Sequence, residues 1–563
     1  MINIKQQLAS LVTGYPVEEV EGLLSDIEDN SLGDYALPCF KFAKQQRLSP
    51  NIIAQQIASS IQPNVLIDKV CSVGGYCNFY LNKQYVTTQI VSQVVCQSDY
   101  GNSSLGQGKT ICIDYSSINI AKPFHIGHLG TTAIGSCLYK VYKALGYNVV
   151  GINHLGDWGT QFGKLIVAYN KWSDKETILK GGLRALQDIY VRFHVEAEKD
   201  DSLNDQAREW FARIEQGDKS ANELFNFFKD ITLCEVKKLY QRLNVTFDSW
   251  NGESFYNNLM PDAIKFLEEK NIVTTSDGAR VVDLSAYNMP PCLLVKSDGA
   301  SLYATRDITA IMYRKATYDF YKCLYVVAYQ QNLHFKQVFK VIELAGLPYA
   351  DSLVHVAYGM VSLEEGSMST RKGNTVWLED VLNRAVDKAR SIIEDKNPEL
   401  PNKAEIAEQV GVGAVIFSAL CNSRIKDITF SFDRVLSFEG ETAPYLQYTH
   451  ARCCSIFEKA GMSYYARCAH DHSVYDNVES VELAKLINKF PQVLVEVGQR
   501  YEPSILSCYL IDLAKSFNKY YLSQKMLCED LGKQNARLDL AKSVQITLNK
   551  GLTLLGIACP TKM

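Results

Sequence analysis

Two stretches of the chain, about 200 residues apart, repeat one order of strand, helix and strand, and no other feature limits the fold as tightly. Ile111-Cys112-Ile113-Asp114-Tyr115 is an apolar run of strand length, and Leu129, Ala133, Cys137, Val141 and Leu145 then recur every four residues up to Gly146. Asn148-Val149-Val150-Gly151-Ile152 closes the unit with a second strand. The order returns in Cys323–Ala328, Phe335–Leu344 with Gly346 behind it, and Leu353–Tyr358. Two βαβ units predict an α/β protein with a doubly wound, Rossmann-type sheet. Right-handed crossovers put the carboxyl ends of these strands on one side, so the polar segments that follow them should face one crevice.

At 563 residues the chain is too long for one domain. Residues 1–108 read as a small α/β domain: helical spacing near the start and over Pro50–Ile61, a strand at Gly74–Leu81 with an aromatic-rich face, and a linker over Asn102–Gly108. Residues 109–440 hold both βαβ units. Between the units, about 172–250 is rich in Glu, Lys, Leu and aromatics at helical spacing and predicts an inserted helical bundle. Residues 280–306 return to strands, with Lys296-Ser297-Asp298-Gly299 as a hairpin turn. Residues 441–563 read as helix throughout, including Leu506–Leu522 and Leu538–Leu555, and predict an all-helical C-terminal domain.

Hydrophobic residues at 47% and charged residues at 21% exclude a disordered or low-complexity chain. The longest apolar run, Val410–Leu420, is short of the ~20 residues that span a bilayer, and the N-terminus lacks the zones of a signal peptide, so no membrane anchor and a cytoplasmic location are expected. Sixteen cysteines contain no C-x-x-C spacing, and nine histidines no H-E-x-x-H, which leaves no zinc signal and predicts no protein-bound metal. Net charge is −4, yet residues 441–563 carry 14 Lys+Arg against 12 Asp+Glu, a weak pointer to a polyanion partner.

The sharpest chemical segment is Asn119-Ile120-Ala121-Lys122-Pro123-Phe124-His125-Ile126-Gly127-His128, which joins a strand to a helix. Histidines three apart at a helix start can face one ligand, the free N–H groups and dipole there favour phosphate, and Gly127 lets a flat base approach the backbone. A second segment, Asn153-His154-Leu155-Gly156-Asp157-Trp158-Gly159, follows the next strand; as structure alone it is a Gly-rich turn capped by Asp157.

The first segment resembles the HIGH motif of class I aminoacyl-tRNA synthetases, and the second is similar to the arginyl-tRNA synthetase family in particular. Asp114-Tyr115-Ser116-Ser117, Gly252-Glu253-Ser254, Tyr303-Ala304-Thr305-Arg306-Asp307, Gln331-Asn332-Leu333-His334-Phe335, Ser437–Gly440 running on to Tyr445-Leu446-Gln447-Tyr448, and the terminus Leu554–Met563 extend that resemblance over the whole chain in order. It implies ATP-dependent, AMP-forming activation of L-arginine and its transfer to tRNA(Arg), with Mg²⁺ accompanying ATP and a monomeric protein. A guanidinium asks for carboxylates and neutral acceptors in bidentate reach. By motif position the resemblance assigns Asp114, Ser116, Asn119, Tyr303, Asp307 and Gln331 to arginine, and His125, Gly127, His128, His334, Met368, Ser369 and Arg371 to ATP. It further gives the N-terminal domain the tRNA elbow and the helical domain the anticodon, with Asn78, Tyr80, Tyr445, Tyr448 and Tyr501 as candidate stacking or contact residues.

Ser367-Met368-Ser369-Thr370-Arg371-Lys372-Gly373 resembles the KMSKS loop, but Ser367 stands at the first Lys position and Arg371 at the second. Lys122, just ahead of His125, is expected to compensate, which places His125, His128, Lys122 and Arg371 in the catalytic set. Ile118 likewise stands where the family usually has Pro. Two rivals make different demands: a cysteinyl synthetase needs a zinc set of Cys and His, and a tRNA-binding relative without activity needs no intact HIGH motif.

Overall fold

The four-residue spacing at the start of the chain makes the helix Ile4–Leu11, which buries Ile4, Leu8 and Ala9. It lies in an N-terminal module whose strands β1 (Ser25–Asp26), β2 (Tyr35–Pro38), β3 (Ile67–Val73) and β4 (Tyr76–Leu81) form an antiparallel sheet in the order β1-β2-β4-β3. The computed structural model describes residues 2–563 apart from 28, 298, 300, 301, 364–375 and 462–469. The module rests on the C-terminal helix Val478–Arg500 through Asp34 and Lys485, 2.6 Å apart, and through the Tyr100 hydroxyl, which donates to the Ile487 carbonyl at 2.6 Å.

The expected Rossmann-type sheet is present. Strands β5 (Thr110–Asp114) and β6 (Asn148–Ile152) flank the crossover helix Leu129–Ala144. Strands β7 (Val273–Ser276), β8 (Ala279–Val282) and β9 (Cys292–Val295) form a separate antiparallel sheet, and β10 (Lys322–Tyr325) and β11 (Leu353–His355) flank the helix Asn332–Leu344. The parallel order is β11-β10-β5-β6, so the winding reverses between β5 and β10, and the carboxyl ends of those two strands open the crevice. Period-two alternation sends Ile111 and Ile113 into one core and Cys112 into the other, while Leu324 opposes Cys323 and Tyr325 in the same way.

Two expectations change. The Gly299 N–H donates to the Lys296 carbonyl at 3.0 Å, Asp298 of the expected hairpin turn lies outside the described residues, and the next described element is the helix Tyr303–Tyr318 rather than a strand; the hairpin turn of this sheet joins β7 to β8. The helical bundle between β6 and β7 also starts one helix before residue 172. It comprises Gln161–Trp172, Lys175–Ala197, Ser202–Glu215 and Lys219–Arg242. Its first and third helices approach so closely that a Cβ on Gly163 would lie 1.9 Å from the Ala207 carbonyl oxygen.

The helices Leu378–Lys396 and Lys403–Leu420 follow, and the strands β12 (Val361–Leu363) and β13 (Ile428–Phe430) pair in parallel beside them. The apolar run Val410–Leu420 is buried helix, as its length requires. The chain ends in the helices Ala443–Ala460, Val478–Arg500, Ser504–Ser523 and Leu531–Leu555. No helix among the described residues is long and apolar enough to cross a membrane.

Candidate active site

The segment after β5 leaves regular structure with three non-glycine residues in left-handed conformation, Ser116, Ser117 and Ala121, at φ 69°, 46° and 57°. Such backbone persists only where its surroundings hold it. Here the Ser116 N–H donates to Thr131 Oγ1 at 2.9 Å and the Ala121 N–H to Thr232 Oγ1 at 3.0 Å. Ile118, at the position where Pro was noted as usual, is buried, and its carbonyl accepts from the Gly156 N–H at 2.8 Å. A Cβ on Gly156 would come 2.3 Å from Asn119 Oδ1, so glycine is what lets the Asn119 side chain cross that turn.

At the helix start the two histidines cap each other. His125 Nδ1 accepts from the Gly127 N–H at 3.1 Å, His128 Nδ1 accepts from the His125 N–H at 3.2 Å, and the rings lie 4.0 Å apart. The His128 N–H donates to the His125 carbonyl and the Ile126 N–H to Val376. The backbone donors expected to meet phosphate are therefore used within the chain. What remains for a ligand is imidazole: with both Nδ1 atoms accepting, each neutral ring carries its proton on Nε2. Burial lowers His125 to about 4 and holds His128 well below its usual value, with His125 adding to the latter, so both rings are neutral donors near pH 7.

The second motif lines a cavity through Trp158 and Gly159. Asp157 is fully buried; it pairs with Lys229 Nζ at 2.6 Å and accepts from the Ser254 N–H at 2.9 Å and the Ser254 hydroxyl at 2.8 Å. A Cβ on Gly252 would lie 2.5 Å from Asp157 Oδ1. Thus Gly252-Glu253-Ser254 is clamped onto Asp157, and this clamp points Glu253 into a cavity of about 590 Å³ lined also by Asn119, Lys122, Tyr303, Lys164 and His194. Burial raises Glu253 to about 7; Asp307 and Asp157 add to the rise, while Arg306 and Lys122 oppose it.

Tyr303 opens its helix at 67% exposure and lines this cavity, and Asp307 lies one turn on, 2.5 Å from His334 Nε2. Gln331 is exposed at the start of the helix that carries His334. The carboxylate meant for a guanidinium thus faces the imidazole assigned to ATP. Asp114 is engaged more deeply: Arg314, 1% exposed, donates to its Oδ2 at 2.7 Å, and the Ser117 hydroxyl to its Oδ1 at 2.7 Å.

Several other assigned residues have partners within the chain. Ser116 does not face the cavity: it is buried, with its hydroxyl 2.9 Å from Thr132 Oγ1 and 2.7 Å from the Tyr240 hydroxyl. Asn78 is buried and donates to the Leu32 carbonyl, as strand residues facing a core must. Tyr501 lies between domains, its hydroxyl accepting from Lys322 at 2.7 Å. Tyr80 donates to the Ser31 carbonyl, and the Tyr445 hydroxyl accepts from Asn518 at 2.8 Å. Tyr448 is exposed, with the Arg452 guanidinium 4.9 Å from its ring centroid. Met368, Ser369 and Arg371 lie outside the described residues.

Sequence reasoning left Glu253, Lys164, His194 and Arg314 without a role. Glu253 stands inside a quoted motif, and Arg314, seven residues after Asp307, shares its helix face, a signal that was there to use. Lys164 and His194 come from the inserted bundle, and no local pattern in the sequence links them to the cavity.

Residues 89–432 match the family model for the catalytic domain of class I (R) tRNA synthetases, 2–81 that for the arginyl tRNA synthetase N-terminal domain, and 446–563 that for the DALR anticodon binding domain. The chain is 49% identical to the arginine–tRNA ligase of Halothermothrix orenii, with all of both chains covered, and 50% identical to that of Clostridioides difficile, over 97% of this chain and 96% of the other. Among solved structures, Thermus thermophilus arginyl-tRNA synthetase superposes with a TM-score of 0.82 at 27% identity, covering 99% of this chain and 100% of the other. Plasmodium falciparum arginyl-tRNA synthetase shares the fold at a TM-score of 0.78 and 22% identity, over 100% and 98%. With all three of its parts matched in order and near-half identity from end to end, this chain belongs to the arginyl-tRNA synthetase family.

Proposed function

We propose that this chain activates L-arginine with ATP and joins it to the 3′ end of tRNA(Arg), with domains at 1–108, 109–440 and 441–563. The arginine carboxylate attacks the α-phosphorus of ATP, pyrophosphate leaves, and a ribose hydroxyl of the terminal adenosine of tRNA then displaces AMP from the adenylate. No protein nucleophile is required; positioning and charge stabilisation carry both steps. The reading is carried by the neutral imidazole pair, with both Nδ1 atoms bonded and both Nε2–H groups left as donors, and is supported by a cavity that collects Asn119, Lys122, Glu253 and Tyr303.

His125 and His128 donate to the phosphates, with Gly127 beside the base; Lys122 and Arg371 supply cationic charge, and Met368 and Ser369 complete the ATP set. Asn119, Tyr303, Asp307 and Gln331 hold arginine, whose guanidinium takes the place of His334 at Asp307 and frees that ring for ATP. Asp114, held by Arg314, contributes fixed negative potential behind the pocket rather than an open acceptor. Mg²⁺ would accompany ATP and would offset the charge of its phosphates, with no protein residue assigned to it.

The helical domain reads the anticodon. Tyr448, under Arg452, borders a cavity of about 670 Å³ lined also by Tyr521, Lys459 and Lys525, which offers stacking surface and phosphate-binding charge together. Tyr80, with Lys69 Nζ 4.1 Å from its ring centroid, serves the elbow from the N-terminal domain. The enzyme works as a monomer in the cytoplasm, where its substrates are. Charging of total tRNA with each of the twenty labelled amino acids tests the reading: arginine alone should be incorporated, and incorporation of another amino acid in its place would overturn it.

A further inference from the structure

Two cysteines face each other in the central sheet and have no part in the site described above. Cys112 of β5 and Cys323 of β10 are direct partners in the parallel register, between the pairs Ile111–Lys322 and Ile113–Leu324. Both belong to the same core, both are free thiols, and both are 0% exposed. Registered neighbours on adjacent strands have Cα atoms about 4.8 Å apart, inside the roughly 4.4–6.8 Å that a disulfide spans. Each cysteine lies two residues before the carboxyl end of its strand, at Asp114 and Tyr325. The pair therefore sits beneath the floor of the crevice that opens where the winding reverses.

The surroundings treat the two sulfurs differently. Cys112 hydrogen-bonds to Cys323, and that bond together with burial pushes the Cys112 thiol up, so it keeps its proton. Burial also raises Cys323, but the same bond and the Arg314 guanidinium outweigh it and bring this thiol below its usual value. Arg314 is itself buried and anchored at 2.7 Å on Asp114 Oδ2, and its charge reaches Cys323. Two buried donors of this cluster, Arg314 Nε and the Tyr325 hydroxyl, have no hydrogen-bond acceptor among the described residues. Buried donors without an acceptor are costly, so the cluster favours a state that puts negative charge or an added oxygen beside them.

We propose that Cys112 and Cys323 form a reversible oxidation site under the arginine pocket, in which Cys323 reacts with a hydroperoxide and Cys112 closes the disulfide. The Cys323 thiolate attacks one peroxide oxygen, the O–O bond breaks, and the departing hydroxide takes up the proton that ionisation released and leaves as water. Cys323 is then a sulfenic acid. Cys112 attacks that sulfur, the S–S bond forms as the S–O bond breaks, and the hydroxyl leaves with the Cys112 proton as a second water. The two sulfurs together lose two electrons, and a dithiol returns them by exchange. Burial selects the oxidant, because hydrogen peroxide is close to water in size and bulky reagents are excluded. A disulfide holds its Cβ atoms about 3.8 Å apart, closer than parallel neighbours stand, so closure pulls β5 against β10. Asp114 follows Cys112 by two residues and is registered with Tyr325, so the carboxylate behind the pocket shifts and arginine binding weakens. That last effect rests on the reading of this chain as an arginine–tRNA ligase; the bond itself does not.

The experiment treats the full-length protein and its Cys112→Ala and Cys323→Ala variants with hydrogen peroxide, blocks the remaining thiols in denaturant, and maps disulfides by mass spectrometry of peptides cut under non-reducing conditions. Arginine-dependent ATP–pyrophosphate exchange is followed in parallel with total tRNA present, and melting curves establish that the variants are folded. In wild type we expect a Cys112–Cys323 peptide two hydrogens lighter than its reduced parts and an arginine KM raised roughly tenfold, the scale of a sub-ångström misplacement in a binding site, with both reversed by dithiothreitol. Cys112→Ala should stop at the sulfenic acid of Cys323, and Cys323→Ala should leave Cys112 reduced and its KM unmoved by peroxide. Absence of the linked peptide at doses that oxidise the exposed Cys234, or a peroxide response of KM in Cys323→Ala equal to that of wild type, overturns the proposal. A linked peptide without a change in KM overturns the placement of the site under the pocket. If exchange depends on an amino acid other than arginine, the family reading fails, and the peptide map still decides whether the bond forms.

Discussion

Replacing Glu253 by glutamine tests the electrostatics of the cavity most sharply. Burial raises its carboxyl from an ordinary value of 4.5 to about 7, with Asp307 and Asp157 adding and Arg306 and Lys122 opposing. A carboxyl whose folded-state pKa is raised binds its proton more tightly in the native protein than in the unfolded chain. Its contribution to stability is full below the unfolded pKa and is lost as pH rises through the folded one. Between pH 5 and pH 8 that loss is on the order of 2–3 kcal/mol. Glu253→Gln removes it, so the thermal midpoint of the variant should fall less than that of wild type over this interval, by a few degrees for a domain this large. The assay is a pair of melting curves in matched ionic strength at pH 5.5, 7 and 8, read alongside the KM for arginine. The wild-type KM should inflect near pH 7 and the variant's should not. Parallel pH dependences of the two proteins would refute the assignment of a neutralised carboxyl at this position.

Four further outcomes follow from the same geometry. His125→Ala and His128→Ala should each lower kcat for adenylate formation by about 10²–10³-fold, the usual effect of removing one preorganised donor, while arginine binding measured by calorimetry changes little. Lys122→Ala should cut activation far more than arginine binding, and equal losses would remove its phosphate role. Arg314→Met strands the buried Asp114 carboxylate and should destabilise the catalytic domain by about 3–5 kcal/mol, seen in denaturant titration, whereas simultaneous Asp114→Leu should recover much of that loss. Gly163→Ala forces apart the helices Gln161–Trp172 and Ser202–Glu215, so its melting transition should drop while the spectroscopic signature of the C-terminal domain stays intact.

The sheet was legible because a strand covered on both faces must be apolar at successive positions, and Ile111–Ile113, Val149–Ile152 and Cys323–Tyr325 meet that demand in the sequence itself. The HIGH segment was legible for a different reason: its chemistry is local, two imidazoles one turn apart. What the sequence could not show is which local donors the fold uses up. The helix-start N–H groups read as a phosphate cradle, yet His125 and His128 consume two of them, and only three-dimensional contact discloses this. Ser116 and Asp114 failed as open pocket residues for the same cause, since their partners Tyr240 and Arg314 lie 124 and 200 residues away. Tyr501 was a candidate RNA contact and instead meets Lys322 across the domain boundary, because the partners of an aromatic side chain depend on packing at a distance and not on its neighbours in the chain. The β9 turn was misread as a hairpin because Lys-Ser-Asp-Gly satisfies a tight turn equally well whether a strand or a helix follows.

The central claim is that this chain selects arginine and activates it with ATP. Amino-acid-dependent ATP–pyrophosphate exchange over all twenty amino acids, with and without total tRNA, measures that directly. Exchange with arginine and with no other amino acid is the predicted result, and its appearance only when tRNA is present would add that the pocket is completed by the RNA. Exchange with a different amino acid, or none at all in a folded protein that still binds tRNA, would contradict the account.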